Sequence, residues 1–391
     1  MADKQFDIAV FGATGFTGRL VAEYLAKQYP AGSGLSWAMV GRSKAKLEAV
    51  RDEIGAPKET PLVVADASDP ASIKALVESA KVVLTTVGPY QLYGNELVAA
   101  CAEAGTDYVD LCGEPAWMRQ MIDKHEAAAK ASGARIVFSC GFDSIPSDLG
   151  VFLLQEEAKK KFGAPCTEVK GLVRSMKGTF SGGTAASMKA TMAAAMQDRA
   201  VIQHLKNPFS LANDFEGPKQ PSGSKVIYDE DIGAWLTPFV MAVINTKNVH
   251  RSNALMGHAY GDDFVYSEMV VTGPGESGEA VARKLASNNA MMSEDGPKPG
   301  EGPSKEEREA GSFDILFLGK TAKGETLKLA VTGDIDPGYG STSKMISEAA
   351  ICLIKDCADT GSGVWTTAPA MGHALIDRLR NKAGLTFEIE D

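Results

Sequence analysis

Three short stretches of this chain carry residue types that could do chemistry. The first, Gly12-Ala13-Thr14-Gly15-Phe16-Thr17-Gly18, lies between an apolar run, Phe6–Phe11, and a segment, Arg19–Lys27, with apolar residues at helical spacing. A strand, a glycine turn and a helix at this spacing form the phosphate end of a nucleotide-binding βαβ unit. Gly12 permits the turn, Gly15 lets the backbone approach a pyrophosphate, and Gly18 lets helix and strand pack closely. Amides at the helix N-terminus then face the phosphate charge. A glycine-rich turn with no ligand has the same local spelling. The clean strand ahead of the loop and the βα units behind it favour a dinucleotide.

The second stretch selects the dinucleotide. Where NAD sites place an acid at the end of the second strand, this chain has Arg42, Ser43, Lys44 and Lys46, with no acid until Glu48. Arginine meets a 2′-phosphate with charge and paired hydrogen bonds, so NADP(H) is the expected cofactor. A solvated arginine at a strand end is the alternative. Asp66, with Ala67, ends the third strand within reach of an adenine edge, or else caps a turn.

The third stretch gathers at the later strand ends, where α/β sheets bind ligands. Val87-Gly88-Pro89 offers a close backbone path near a nicotinamide, and Tyr90 and Tyr93 follow as proton donors or substrate contacts. Aromatic packing between domains is the competing role for both tyrosines. Asp143 and Ser144, in the loop after the sixth strand, are candidate substrate or ribose contacts, and Asp148 is expected to cap the next helix. Ser181-Gly182-Gly183-Thr184 is a second anion site, with Gly183 and Thr184 as substrate contacts, or an ordinary helix cap. Cys140 could be a nucleophile, but no histidine is close in sequence, and buried cysteine is common. No tyrosine begins the Tyr-x-x-x-Lys pair of the short-chain dehydrogenases.

The elements that must position these residues read as alternating strands and helices. Strands are expected at Leu35–Val40, Pro61–Ala65, Val82–Val87, Asp107–Leu111 and Ala134–Phe138, with helices between them; one of these is capped by Asp69 with Pro70 at its first position. This rhythm implies a doubly wound parallel sheet of the Rossmann type over residues 1–147. From Asp148 longer strands mix with helices, which implies a second, mixed α/β domain over 148–340. C-terminal helices over 341–391 are expected to return to the first domain. Gly296–Pro303 reads as a loop, Ser304 and Glu307 as a capping box, and Phe313–Leu318 with Thr326–Thr332 as a hairpin. The most apolar run, Ala234–Ile244, is expected to be a core helix; an acyl-chain lining or a membrane-surface patch are its alternatives.

Composition narrows the classes. A chain of 391 residues with 44% apolar and 23% charged residues suits a globular protein of two domains. A net charge of −10 disfavours a nucleic-acid partner. The polar start Met1–Gln5 lacks the apolar core of a secretion signal, and no run is long enough to span a bilayer. Six scattered cysteines suit a reduced, cytoplasmic setting, and the scattered histidines predict no metal.

Taken together, the motifs resemble the saccharopine dehydrogenase-like oxidoreductases, in particular the subgroup of trans-acting enoyl reductases. The resemblance rests on Gly12–Gly18, Gly41-Arg42-Ser43, Val87–Gly94, Asp107–Glu114, Gly141–Asp148, Ser181–Thr184, Tyr339–Lys344 and Gly363–Pro369, so it spans nearly the whole chain. It implies an NADP(H)-binding Rossmann domain, a second α/β domain, and reduction of a carbon–carbon double bond. Hydride would reach the β-carbon, and a proton the α-carbon, of a lipid or polyketide-derived enoyl group, small or carrier-bound. Weak association with a lipid surface and pairing of two copies are compatible with that reading. A saccharopine-type imine reductase is the alternative enzyme; it would need converging cations such as Arg174, Lys177 and Lys189. A non-catalytic NADPH-binding protein of the lipid surface is the alternative outside enzymes.

Overall fold

The computed structural model describes residues 4–391 except 31, 180, 213 and 288–299. The chain begins β1 (Phe6–Phe11), α1 (Phe16–Gln28), β2 (Trp37–Gly41), α2 (Lys44–Glu53), β3 (Leu62–Val64), α3 (Pro70–Ser79) and β4 (Ala80–Thr85). Next come α4 (Tyr90–Tyr93), α5 (Asn95–Ala104), β5 (Asp107–Val109), α6 (Pro115–Ser132) and β6 (Arg135–Val137). After α7 (Ile145–Phe162) follow β7 (Cys166–Lys177), α8 (Gly182–Gln197), α9 (Arg199–Lys206), β8 (Ile227–Asp229) and β9 (Ala234–Pro238). Then come α10 (Ala242–Leu255), β10 (Val265–Gly273), α11 (Gly275–Ala286), α12 (Lys305–Glu309), β11 (Ser312–Thr321) and β12 (Thr326–Gly333). A π-helical turn over Pro337–Ser341 leads to α13 (Thr342–Lys355), β13 (Gly363–Trp365), α14 (Thr367–Arg378) and β14 (Leu385–Glu390).

The first sheet is parallel throughout, in the order β13-β6-β5-β4-β1-β2-β3. Inside it β1, between β4 and β2, is buried along its whole length. Ile8 and Val10 enter a core that continues through α7 and α13 to Phe317 and Leu329 of the second sheet. Phe6, Ala9 and Phe11 enter the opposite core with α3, α5 and α6. Apolar residues on both faces are what a parallel sheet covered by helices requires. The second sheet runs β14-β12-β11-β7-β10-β9-β8, antiparallel except where β10 lies beside β7.

Local signals hold where they are chemical. Asp69 caps α3, its carboxylate accepting from the Ala71 amide at 3.1 Å. Ser304 and Glu307 close the capping box of α12. The Phe313–Leu318 and Thr326–Thr332 segments pair as an antiparallel hairpin.

Three expectations are corrected. Ala234–Ile244 is not one helix: Ala234–Pro238 is a strand beside β10, and α10 begins only at Ala242. A short unbroken apolar run has no period to separate strand from helix, and Pro238, with no amide to donate, ends the ladder. Asp148 does not cap α7, which begins after Ser144. Its carboxylate instead accepts from the Ala368 amide and the Thr367 hydroxyl, at 2.8 and 2.7 Å, at the N-terminus of α14. The final 51 residues are also not all helix, because β13 extends the first sheet and β14 the second. The expected loop at Gly296–Pro303 falls partly on 296–299, outside the described residues. No helix among the described residues is long and apolar enough to cross a membrane.

Candidate functional site

The glycine loop is closed by backbone. Gly12 has φ +93°, and a Cβ there would meet Val87 Cγ2 at 2.8 Å and Thr86 Oγ1 at 2.9 Å. A Cβ on Gly18 would fall 2.1 Å from the Gly12 carbonyl oxygen. The Gly15 amide donates to that same oxygen at 2.9 Å, and Gly15 stands at the N-cap of α1 with no side-chain cap. The first amides of α1 therefore lack side-chain partners, as an anion-binding helix end requires.

At the end of β2, Arg42 is exposed and makes no ion pair among the described residues. Ser43 beside it caps α2, accepting from the Lys46 amide at 3.4 Å. Across the crevice, Asp66 accepts from the Ser68 amide and hydroxyl at 2.9 and 2.8 Å. Those bonds hold the Asp66 carboxyl below its ordinary range, with Arg42 adding to the effect. Ala67 is half-buried beside it. An unpaired cation and an open glycine cradle at the carboxyl ends of the neighbouring strands β2 and β1 fit the phosphates of NADP(H).

The next strand ends bring further groups together. Val87-Gly88-Pro89 leaves β4 under α8: a Cβ on Gly88 would lie 3.7 Å from Ser187 Oγ, and Gln91 donates to Thr191 Oγ1 at 3.1 Å. Tyr90 is buried, accepts from the Leu111 amide at 3.1 Å and donates to the Thr85 carbonyl at 3.3 Å. Burial and the nearby Asp110 push its hydroxyl well above its ordinary value. Tyr93, by contrast, is 50% exposed at the rim. Glu114 receives the Tyr90 and Gln91 amides at 2.9 and 2.8 Å and so holds the start of α4. Cys140 is buried against its own strand end, and burial pushes its thiol up.

Asp143 and Ser144 follow β6. The Ser144 hydroxyl accepts from Asn248 Nδ2 of α10 at 2.8 Å. Asp143 Oδ2 is 3.7 Å from where a Cβ of Gly113 would stand, so this carboxyl leans across the exit of β5. Its Oδ1 is closed to water and has no hydrogen-bond partner. From the second sheet Glu268 faces it, held by the Tyr266 hydroxyl and by Asn245 Nδ2 at 2.9 Å. Tyr339 is also near Asp143, and its hydroxyl accepts from the Ser181 amide and lies 2.9 Å from Thr184 Oγ1. The start of α8 is thus held by Tyr339, with Thr184 half-buried and Gly183 exposed. The Tyr339 ring also stands edge-on to Phe16 of the glycine loop, 5.2 Å between centroids.

Sequence reasoning gave no role to Tyr339, Glu268, Asn245, Asn248 or Glu114. Tyr339 and Glu114 lie inside motifs that carried the resemblance; the other three stand in ordinary strand and helix and carried no signal. The cations that a substrate with several carboxylates would need do not converge. Arg174 is committed to Asp314 and Glu390, both at 2.7 Å, and Lys177 and Lys189 are exposed. Among the described residues no three or more His, Cys, Asp or Glu side chains are grouped to hold a metal ion.

A parallel nucleotide-binding sheet, an open phosphate loop and a cleft closed by a second sheet define an NADP-dependent oxidoreductase. Residues 8–137 match the family described as the saccharopine dehydrogenase NADP-binding domain. The chain belongs to the trans-acting enoyl reductase family. It is 38% identical over 407 residues to the trans-acting enoyl reductase of Mycobacterium ulcerans, covering 97% of this chain and 96% of that one. The trans-acting enoyl reductase of Mycobacterium bovis (BCG) is 36% identical over 407 residues with the same coverage. A further Mycobacterium tuberculosis relative of this group is 42% identical over 404 residues, covering 96% of each chain. The fold is shared with apo saccharopine dehydrogenase (L-Glu forming) from Saccharomyces cerevisiae. There the TM-score is 0.53 at 13% identity, with 98% of this chain and 99% of that one covered.

Proposed function

We propose that this protein reduces the carbon–carbon double bond of an enoyl group, borne by a lipid or a carrier, at the expense of NADPH. The observation that carries the reading is similarity over 96–97% of the chain to relatives named trans-acting enoyl reductase. The uncommitted faces of the cleft agree with it, because they offer carboxyl, amide and hydroxyl groups without a converging cation. A neutral enoyl ester suits such a wall better than the poly-carboxylate imine of a saccharopine-type enzyme.

In this reading residues 1–147 bind the cofactor, 148–340 the substrate, and 341–391 close both sheets. Gly12, Ala13, Thr14, Gly15, Phe16, Thr17 and Gly18 hold the pyrophosphate; Arg42 and Ser43 hold the 2′-phosphate; Asp66 and Ala67 border the adenine. Val87, Gly88 and Pro89 form the backbone beside the nicotinamide, which when bound supplies the hydride. Tyr90 positions the exits of β4 and β5 through its two backbone bonds, and Tyr93 contacts the substrate at the rim. Ser144, Gly183 and Thr184 border the acyl group. Exposed Leu92, Met192 and Met196, with Tyr93, give the α4 and α8 side of the cleft an apolar surface suited to a lipid chain.

Two measurements test this. NADPH oxidation is followed with a 2-enoyl thioester and, separately, with a mixture of an amino acid and a keto acid; turnover of the second alone overturns the reading. Arg42→Ala is expected to weaken NADPH binding by about 10- to 100-fold, the range of a lost charged hydrogen bond, while leaving NADH binding unchanged. A fluorescence titration giving equal NADPH affinity in both proteins removes Arg42 from the site.

A further inference from the structure

The geometry points to Asp143 as the acid that protonates the α-carbon of the enoyl group, with Glu268 as its positioning residue. The inference rests on the reductase reading above and names the proton donor for it.

Of the acids and hydroxyls gathered at the strand ends, most are already committed. The Tyr90 hydroxyl makes two backbone bonds. Glu114 is held by two amides. Asp110 receives the Tyr108 hydroxyl at 2.8 Å and the Cys112 and Ser139 amides at 3.0 and 2.9 Å. Asp148 is bound by Ser252, Thr367 and the Ala368 amide. Tyr339 is engaged by Ser181 and Thr184. Asp143 alone among these acids keeps an oxygen, Oδ1, that is shielded from water and unpartnered. A buried acceptor without a donor costs stability, so this one is poised for a ligand or a proton.

Its place is right for that task. Asp143 leaves β6 in the crevice beyond the carboxyl ends of the parallel strands, where the reacting end of a dinucleotide falls. The residue as a whole is half-buried, open on one side to that crevice. Tyr339, which bridges the glycine loop and α8, and Glu268 of β10 are both within electrostatic reach of it. The groups that face Asp143 are therefore Glu268 from β10, Cys112 from the loop after β5, and Tyr339 from the π-helical turn. These are a carboxyl, a thiol and a hydroxyl; no cation contributes among the described residues. Burial, and then the Glu268 charge, raise the Asp143 carboxyl to about 7, so near neutrality it still carries a transferable proton.

The step balances. As hydride from the reduced nicotinamide forms the new C–H bond at the β-carbon, the π pair moves to the α-carbon. That pair takes the carboxyl proton as the O–H bond of Asp143 breaks. Asp143 is left as a carboxylate and recovers a proton from water; the hydride, with its two electrons, would be supplied by the bound reduced nicotinamide. Burial raises the Glu268 carboxyl too, against the Tyr266 and Asn245 hydrogen bonds that lower it, and in its ionised form Glu268 raises the proton affinity of Asp143.

The experiment compares the full-length protein with Asp143→Asn and Glu268→Gln, using NADPH and a medium-chain 2-enoyl thioester. Asp143→Asn is expected to lower kcat by about 100-fold or more, the usual share of a general acid, with KM and fluorescence-measured NADPH affinity within twofold. The wild-type kcat should fall as pH rises through about 7, because the proton is then lost, and this alkaline limb should vanish in Asp143→Asn. Glu268→Gln removes the facing charge and should move the limb toward acid by about one pH unit while leaving turnover below it. If Asp143→Asn does not fold, the limb and its movement in Glu268→Gln decide. Wild-type kcat retained in a folded Asp143→Asn, or a limb that ignores Glu268, overturns the assignment of Asp143 alone. A wild type that binds NADPH but reduces no enoyl thioester overturns the reductase reading and this inference with it.

Discussion

Gly18→Ala is expected to abolish measurable NADPH binding and to lower stability by about 3 kcal/mol or more, the upper range for an overpacked core. The reason is that the two atoms nearest the new methyl group are backbone and cannot swing away. A Cβ at residue 18 lies 2.1 Å from the Gly12 carbonyl oxygen, 2.7 Å from its carbon and 2.8 Å from Thr86 Oγ1. Two of those three atoms are backbone, so α1 must lift off the end of β1 and open the loop. A misplacement worth about 3 kcal/mol is about 100-fold in affinity, which takes cofactor binding out of reach of an ordinary titration. Gly15→Ala is the matched control. A Cβ there meets only the Gly12 oxygen, at 3.3 Å, so the fold should hold while the approach of the pyrophosphate is blocked. Thermal unfolding and NADPH fluorescence separate the two variants. A Gly18→Ala protein that melts and binds like the wild type would refute the close packing of loop and helix.

Asp148→Ala is expected to destabilise the protein by about 3 to 5 kcal/mol, measured by denaturant unfolding, because it strands buried donors worth about 1 to 3 kcal/mol each. The carboxylate accepts from Ser252 of α10 and from Thr367 and the Ala368 amide of α14, and all of these groups are buried. One side chain at the start of α7 thus ties three helices where the two sheets share a core. Asp148→Asn should recover part of the loss, since its carbonyl still accepts. The acid and its amide replacement also differ in their response to pH. Burial outweighs those hydrogen bonds and raises the Asp148 carboxyl from 3.8 to about 6. Between those values the unfolded chain releases the proton and the folded chain keeps it, so this group's contribution to stability falls as pH rises. The Asn variant, having no proton to lose, should lack that decline. An Asp148→Asn protein with the wild-type pH dependence would remove Asp148 as its source.

The glycine loop, the strand–helix alternation and the caps at Asp69 and Ser304 were legible in the sequence because each is set within one turn or one strand. Periodicity, a side chain bonding an amide two or three residues away, and a turn that only glycine can make are all local physics. The Arg42 end of β2 was legible for the same reason, since its place is counted from the loop. Ala234–Ile244 misled because its residues are apolar on every spacing, and only pairing with β10 and the amide missing from Pro238 make its first half a strand. Asp148 looked like a local cap, and its partners turned out to belong to α10 and α14. What the tertiary structure alone decided is the wall of the cleft. It brought Glu268 and Tyr339 near Asp143, held α8 over Gly88, and put β13 and β14 into two different sheets. Those neighbours come from distant parts of the chain, and no spacing in a sequence records which distant side chains will share a buried space. The chain by itself thus determined which cofactor is bound; folding decided which acid at the strand ends keeps an unpartnered oxygen.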